Sequence, residues 1–396
     1  MSFNHAPKIA TAGLLNGVQR CLRPLVMGTP YHEAKALIET NRVAVFSSNY
    51  TLYGDFSARV LATLRLFAEE IENYSIDESF LRFSPGAGDL TELGRRMRAT
   101  VKRHTGIPVS VGIAPSKVLA KLANRLAKRR PECHGVFAMP EGAEREAILR
   151  NVPVGDLWGI GRQLTGRLEG VGVRTAWALG QMSDEGARSV LTVTGARIAA
   201  ELRGLSCLAL EEILPPKKNI ISSRSFGRPI TTKAEMGEAV ATYLSRAAEK
   251  MRREGSVSGH VRVFVETNPF RDEPQWFGSA AVTLDTPTNY TPELVASALR
   301  ALEGCWRDGY RYKKAGVMLL DLHAATELQS AFTTPTPEVL ARRKTAMGAL
   351  DAINRRHGRG TLVVAAAGLR PAWSMRRGQC SPRYTTQWEE MPVAAA

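Results

Sequence analysis

The chain has 396 residues, of which 44% are hydrophobic, and its 53 Lys and Arg outnumber its 38 Asp and Glu, which gives a formal net charge of +15. This length and apolar content exclude a disordered chain and predict several domains with sizeable cores. The positive charge indicates a polyanionic partner, and nucleic acid is the commonest one. The alternative is a merely basic protein that is encoded by a GC-rich gene.

The cysteines argue against a disulfide framework and a structural zinc, because they are scattered, odd in number and form no CxxC pair. They are Cys21, Cys133, Cys207, Cys305 and Cys380. No apolar run approaches the length of a membrane span, and nothing resembles a signal peptide. We therefore expect a protein of the reducing cytoplasm that makes no contact with a membrane.

Helical and strand-like periodicities alternate along the first 150 residues. In chain order, the predicted elements are a strand at 43–48, a helix at 55–70, a hairpin around 77–78, a helix at 92–106, a strand at 107–114 and a helix at 114–130. Gly106 is predicted to end the second helix, and Ser116 to cap the third. This order is that of a split βαβ unit that lacks a clear opening strand.

Composition divides the remainder of the chain. Residues 151–214 are helical and rich in glycine, and the Pro-Pro-Lys-Lys run at 215–218 predicts a linker. A complete β-α-β-β-α-β unit is then predicted, with strands at 219–230, 260–267, 279–286 and 312–322 and helices at 236–254 and 292–306. A tail with alternating arginine and aromatic residues occupies 323–396.

Two adjacent carboxylates, Asp77 and Glu78, lie in "YSIDESF" at or near the bend of the predicted hairpin. Neighbouring side chains need not diverge at a bend, so both can point at the same metal ions. Carboxylates suit Mg²⁺, and two such ions, about 3.5–4 Å apart, clamp the attacking and leaving oxygens of a phosphoryl transfer. The alternative is a pair of solvated turn residues.

Two further patterns indicate contact with phosphates. Lys117, Lys121, Arg125 and Lys128 form one stripe along the helix at 114–130, which suits a triphosphate or a DNA backbone unless it is only a solvated face. "LWGIG" followed by "GVGVRTA" predicts a helix-hairpin-helix that grips DNA without reading its sequence. The alternative is an ordinary helical turn with a glycine at its end.

Two strands of the β-α-β-β-α-β unit alternate so that one face of each carries arginine and aromatic side chains. The two sets are Ser222, Arg224, Phe226 and Arg228 in one strand, and His260, Arg262, Phe264 and Glu266 in the other. Such a face can lie along a duplex backbone, or it can be an ordinary half-exposed face of a sheet.

Four ordered motifs resemble the Y-family translesion DNA polymerases, specifically the UmuC-like branch, the catalytic subunits of bacterial DNA polymerase V. They are "YSIDESF", "VSVGIAPSKVLAKLANRLAK", "LWGIGRQLTGRL" and "ISSRSFGRPIT", in family order within residues 25–396. The resemblance implies an α+β protein whose five parts are a residual finger segment at 1–54, a split-βαβ palm at 55–150, a helix-hairpin-helix thumb at 151–214, a β-α-β-β-α-β little finger at 215–325 and a UmuC-type tail at 326–396.

The resemblance also implies roles for single residues. Asp77 and Glu78 become catalytic ligands of two Mg²⁺ ions, and Lys128 falls near the incoming triphosphate. The residues expected to bind DNA are Lys117, Lys121, Arg125, Gly159, Gly161, Arg162, Arg224 and Arg262. The implied partners are primer-template DNA, deoxynucleoside triphosphates, a UmuD-like accessory subunit, a recombinase filament and a sliding clamp, at the nucleoid of a bacterial cytoplasm.

The departure from the family lies at the start of the sequence. The family opens with a strand that carries an Asp, the third metal ligand, and then a Phe-Tyr pair, whereas residues 1–32 contain no Asp or Glu. We expect an atypical or truncated N-terminus or a lost first ligand. The segment "ELQSAF" at 327–332 also matches the family's clamp-binding peptide poorly.

The resemblance predicts error-prone translesion synthesis in the SOS response to DNA damage, by template-directed nucleotidyl transfer. The rival prediction is a catalytically defective DNA-binding remnant or scaffold on the same fold. A nuclease that uses the Asp-Glu pair is a third idea, but no further ligand cluster supports it.

Overall fold

The computed structural model describes residues 29–68, 70–84, 86, 88–211, 216–326, 335–369, 372–375 and 378–393, together with the backbone of a strand at Lys8–Thr11. The chain divides into two compact units, one of Met1–Leu214 with Gln379–Ala396 and one of Pro215–Gly378. Within the described ranges, none of the helices has the length and apolar surface that crossing a bilayer requires.

A five-stranded sheet with the strand order β2-β3-β1-β4-β5 forms the centre of the first unit. Its strands are β1 (Lys8–Thr11), β2 (Ile71–Ser75), β3 (Glu78–Leu81), β4 (Val109–Ile113) and β5 (Val136–Ala138). Strand β1 lies between β3 and β4 and pairs antiparallel with both. The expectation that this unit lacks an opening strand is therefore wrong, because a segment that precedes the family-like sequence takes the central position.

Five helices of the described part of the chain accompany this sheet: α1 (Tyr31–Thr40), α2 (Tyr50–Leu64), α3 (Leu90–Thr105), α4 (Lys117–Arg129) and α5 (Gly142–Arg150). The predicted helix ends are confirmed, since Gly106 follows α3 in the left-handed conformation and the Ser116 side chain caps α4. The predicted strand at 43–48 is wrong. Among the residues that the structure describes, that segment forms one isolated bridge, between Ser47 and Cys380, and no neighbouring strand extends its pairing.

The glycine-rich region forms α6 (Arg162–Gly170), α7 (Ala176–Gln181) and α8 (Asp184–Leu202), the last of which is kinked at Thr192. These helices share one core with the apolar side of α4. Its members include Val118, Leu119 and Leu122 of α4 and Leu168, Leu179 and Leu191 of the later helices. The helical character predicted for 151–214 is confirmed for the described residues 151–211, and burial of this shared core fixes α4 beside the helices.

The second unit has the element order β-α-β-β-α-β, as predicted. Its elements are β6 (Ile220–Ile230), α9 (Lys233–Arg253), β7 (Ser256–Thr267), β8 (Phe277–Thr288), α10 (Thr291–Cys305) and β9 (Tyr312–Ala324), followed by α11 (Pro337–His357). The four strands are arranged β6-β9-β7-β8. Together with the first unit, this arrangement confirms the predicted α+β fold class.

The two faces of this four-stranded sheet differ in burial. Val263 is completely buried in the core with α9 and α10, whereas Arg262 lies on the other face and is exposed. Arg224 pairs with Ala315 of the core, so its backbone position belongs to the helix-covered face. Phe226 is buried in the same core. The set around Arg224 is therefore only partly open, since Phe226 is buried while Arg224 itself is exposed.

Candidate active site at the acidic hairpin

Asp77 and Glu78 lie at the turn of the β2–β3 hairpin, as the sequence predicts. The turn residues are Ile76 and Asp77, and Glu78 is the first residue of β3. Asp77 is exposed, and its carboxylate accepts a hydrogen bond of 2.6 Å from the Ser75 hydroxyl. A register shift between Asn73 and Ser75 accompanies the turn. This irregularity releases neighbouring side chains from the strict alternation of a regular strand.

Helix α2 forms a wall of the small cleft beside these carboxylates. Its residues Ser57, Val60 and Leu64 line the cleft together with residues 75–79 of the hairpin. The position of α2 therefore determines how much room the cleft offers next to Asp77 and Glu78.

Lys121 of α4 connects Glu78 to an aromatic pair. Its ammonium donates a hydrogen bond of 2.6 Å to the Glu78 carboxylate, and it lies 5.4 Å and 5.8 Å from the ring centroids of Tyr74 and Trp158. The Trp158 indole N–H donates to the Tyr74 hydroxyl at 3.2 Å. Cation–π contacts of this length each contribute roughly 0.5–1 kcal/mol at partly exposed sites. Trp158, which precedes the thumb glycines, thus contacts Lys121 and Tyr74 beside the acidic hairpin.

Lys128, near the C-terminal end of α4, is influenced by both carboxylates. The surrounding protein desolvates its ammonium and lowers its pKa, while the charges of Glu78 and Asp77 act in the opposite direction. The side chain nevertheless remains exposed to solvent. Lys128 can therefore meet an anionic group that binds beside the two acids.

Internal ion pairs engage most of the predicted basic stripe. Lys117 is only 4% exposed, and its ammonium bonds the Glu72 carboxylate and, at 2.6 Å, the Ala209 carbonyl oxygen. The structure thus contradicts the predicted DNA contact of Lys117, because the charge is buried and paired. Arg125 pairs with Asp156 at 2.5 Å, although both side chains stay partly exposed.

Sequence reasoning missed several residues that organise this site, including Glu72, Asp156 and Trp158. A bulky aromatic immediately before the first thumb glycine is a signal by which Trp158 could have been found. No local pattern indicates the two acids, because Glu72 is 45 residues from Lys117, and Asp156 is 31 residues from Arg125.

The two glycines of the thumb motif differ in what they do. Gly159 has a φ of +88°, and a Cβ there would lie 2.9 Å from Cδ1 of Ile198. Gly161 precedes α6 with a φ of −89°, and a Cβ there would meet nothing within 4 Å. Gly161 and Arg162 are exposed at the start of α6. Gly159 is thus required by the turn, whereas Gly161 leaves the first amides of α6 open to an anion.

The carboxylates at the turn supply some of the ligands that a divalent cation needs. Asp77 and Glu78 supply hard oxygen ligands of the kind that Mg²⁺ prefers. Among the described residues, no group of three or more His, Cys, Asp or Glu side chains comes together as a metal site. Strand β1 has the sequence KIAT, and its Ala10 is the register partner of Glu78. The neighbouring strand therefore adds no carboxylate to the pair.

Three family models match the chain. The impB/mucB/samB family matches residues 25–125, the impB/mucB/samB family C-terminal domain matches 217–332, and a domain of unknown function, DUF4113, matches 344–394. The acidic hairpin and α4 up to residue 125 lie in the first match, and the four-stranded sheet of the second unit lies in the second.

Curated relatives extend this similarity over most of the chain. Protein UmuC of Salmonella typhimurium is 41% identical over 92% of this chain and 87% of its own length. Protein MucB of Escherichia coli is 37% identical over 93% and 88%. DNA polymerase IV of Corynebacterium diphtheriae is 27% identical over 68% and 58%.

Among solved structures, a Y-family DNA polymerase chimera of Dbh and Dpo4 has the same fold. Its TM-score is 0.58 at 17% sequence identity, over 80% of this chain and 98% of the chimera. The motifs, the fold and the identity to UmuC agree, and the chain belongs to the impB/mucB/samB family, the UmuC-like branch of the Y-family DNA polymerases.

Proposed function

We propose that this chain is a DNA-directed DNA polymerase that performs error-prone translesion synthesis in the SOS response to DNA damage. The observation that carries the proposal is the 41% identity to UmuC over most of the chain, combined with the paired carboxylates of the hairpin. The relatives that are named DNA polymerase IV support template-directed nucleotidyl transfer.

Polymerases of this family use divalent metal ions, and we infer two Mg²⁺ ions that Asp77 and Glu78 help to hold. When bound, Mg²⁺ supplies charge neutralisation at the triphosphate and alignment of the primer 3′-hydroxyl with the α-phosphate. Lys121 restrains the Glu78 carboxylate through their hydrogen bond. Lys128 offers its ammonium to the triphosphate from the same side chain cluster.

Primer-template DNA binds through its backbone in this proposal. The exposed start of α6, at Gly161 and Arg162, offers amides and a positive charge to a phosphate. Arg262 offers a second positive charge from the exposed face of the sheet in the second unit. Arg224 is exposed at the edge strand, whereas Lys121 and Arg125 reach DNA only after they leave their acidic partners.

Family membership also suggests the protein partners. We propose a UmuD-like accessory subunit, a recombinase filament and a sliding clamp, and a location at the nucleoid in the cytoplasm. The segment at 327–332 that partly matches a clamp-binding peptide lies outside the described residues, so this contact stays a prediction.

A second candidate function is a DNA-binding scaffold that lacks catalysis. The observation that favours it is the absence of a third acidic side chain beside Asp77 and Glu78 within the described residues and in β1. Two carboxylates on one hairpin hold cations less firmly than a set drawn from two strands. We therefore expect this chain to bind DNA well and to extend primers slowly.

Parallel assays of DNA binding and nucleotide insertion separate the two candidates. Primer-template binding is followed by anisotropy from low to physiological salt, and insertion of each deoxynucleotide is followed with Mg²⁺ on the same substrate. Both candidates predict affinity that falls steeply with salt, because phosphate contacts release counterions. Slow insertion that follows the template base supports the polymerase, whereas binding without any templated insertion supports the scaffold.

A further inference from the structure

The last described segment of the chain, residues 379–393, returns to the first unit; we call it the C-terminal strap. It contacts the residues just before α2. The Ser47 amide donates a hydrogen bond of 2.8 Å to the Gln379 carbonyl, and Ser47 and Cys380 form a parallel β-bridge. These backbone contacts join two segments that lie more than 300 residues apart in sequence.

Asn49 links the strap to α2 through both ends of its side-chain amide. Asn49 is 6% exposed, and its side-chain oxygen accepts a hydrogen bond from the Leu52 amide, which caps α2. Its nitrogen donates to the Ser381 carbonyl at 2.8 Å and lies 3.4 Å from the Pro382 carbonyl. One buried side chain therefore caps α2 and also donates a hydrogen bond to the strap.

The strap also closes on itself and reaches the second turn of α2. Arg383 donates to the Glu390 carboxylate through its backbone amide at 2.5 Å and its guanidinium at 2.6 Å. Thr385 of the strap lies beside Asp55 in the second turn of α2 and lowers the pKa of that carboxyl. A strap that is folded locally loses less conformational entropy when it holds α2 than an open segment would.

We propose that the C-terminal strap is an internal positioning element that fixes the start of α2 and thereby the wall of the cleft beside Asp77 and Glu78. The cleft residues Ser57 and Val60 follow Asn49 within three turns of the same helix. This assigns a role to the end of the segment that DUF4113 matches. The link to catalysis rests on the proposed function, whereas the contact between the strap and α2 does not.

A disulfide between Ser47→Cys and the native Cys380 tests the contact directly. Paired bridge positions bring Cα atoms within the range that a disulfide spans. In the full chain, oxidised glutathione is expected to close this bond on the order of tenfold faster than in the neighbouring control Ser48→Cys. Adding Cys380→Ser should abolish the product, which mass spectrometry identifies. Equal rates for the two variants would overturn the proposal.

The variant Asn49→Asp tests whether the strap positions α2. Aspartate keeps the cap oxygen for Leu52 but loses the donor and places a charge beside two carbonyl oxygens. We expect hydrogen exchange over residues 53–60 to accelerate severalfold, with no change there in the matched control Asn151→Asp, which removes an exposed hydrogen bond from a side-chain amide to a carbonyl at the C-terminal end of α5. Unchanged exchange in Asn49→Asp would overturn the positioning role. Neither readout uses DNA or nucleotide. A lack of polymerase activity in the parent chain would therefore count against the proposed function alone.

Discussion

At the scale of single residues, buried polar contacts organise the surroundings of the acidic hairpin. Glu201 in α8 is completely buried and accepts hydrogen bonds from the amides of Val118, Cys207 and Leu208 at 3.0, 2.8 and 2.9 Å. Lys117 holds the chain that follows α8 through the Ala209 carbonyl. Buried charges of this kind are retained only when they are paired. Lys117, which the sequence analysis assigns to DNA, therefore stabilises the fold instead.

Substitutions at the two thumb glycines are expected to have different effects, one on stability and the other on DNA binding. Gly159→Ala is expected to lower the free energy of unfolding by about 1–2 kcal/mol, because its φ is left-handed and a Cβ would press on Ile198. Gly161→Leu should leave stability nearly unchanged and weaken primer-template binding, because the side chain would crowd the first amides of α6. Denaturant unfolding and fluorescence anisotropy measure the two effects. Equal destabilisation by both substitutions would contradict this division.

At the scale of elements, the sequence predicts the features that neighbouring residues determine. The caps at Gly106 and Ser116 and the acidic hairpin follow from neighbouring residues and are confirmed. The predicted strand at 43–48 is wrong because strand-like composition does not supply a partner, and the partner of Ser47 is in the C-terminal strap. Strand β1 was missed because four residues carry too little periodicity to be recognised.

Strand β1 offers a way to complete the site. Ala10 is the register partner of Glu78, so Ala10→Asp adds a carboxylate at the neighbouring position of the sheet. We expect this variant to insert nucleotides faster than the parent, on the order of tenfold, because better-placed ligands improve the alignment of the reacting atoms. Thr11→Asp, one position further along, is the matched control, since the side-chain period of a strand is two. Equal rates in both variants would argue against β1 as a source of a ligand.

At the scale of the whole molecule, most of what the sequence predicts follows from the net charge and from the order of the predicted elements. The sequence predicts the full element order of the second unit because each of its elements has a clear hydrophobic period. The return of the chain end to the first unit was not predictable, since it depends on contacts such as Asn49 to Ser381 that leave no local pattern.

The division into two units predicts where proteases cut. Lys217 and Lys218 are exposed just after the boundary at Leu214. We expect limited trypsin digestion to cleave first at these lysines, and mass spectrometry of the first two fragments measures it. Early cleavage inside 260–285, which includes parts of β7 and β8, would contradict the boundary.

The most direct test of the polymerase assignment is primer extension opposite an abasic site with Mg²⁺ and all four deoxynucleotides. The parent chain, Asp77→Ala and the exposed control Glu92→Gln are compared at equal DNA occupancy. We predict slow extension by the parent, no extension by Asp77→Ala and the parental rate for Glu92→Gln, because the proposed function makes Asp77 a ligand of the catalytic cations. Extension that survives Asp77→Ala would contradict both the metal assignment and the site built around the hairpin.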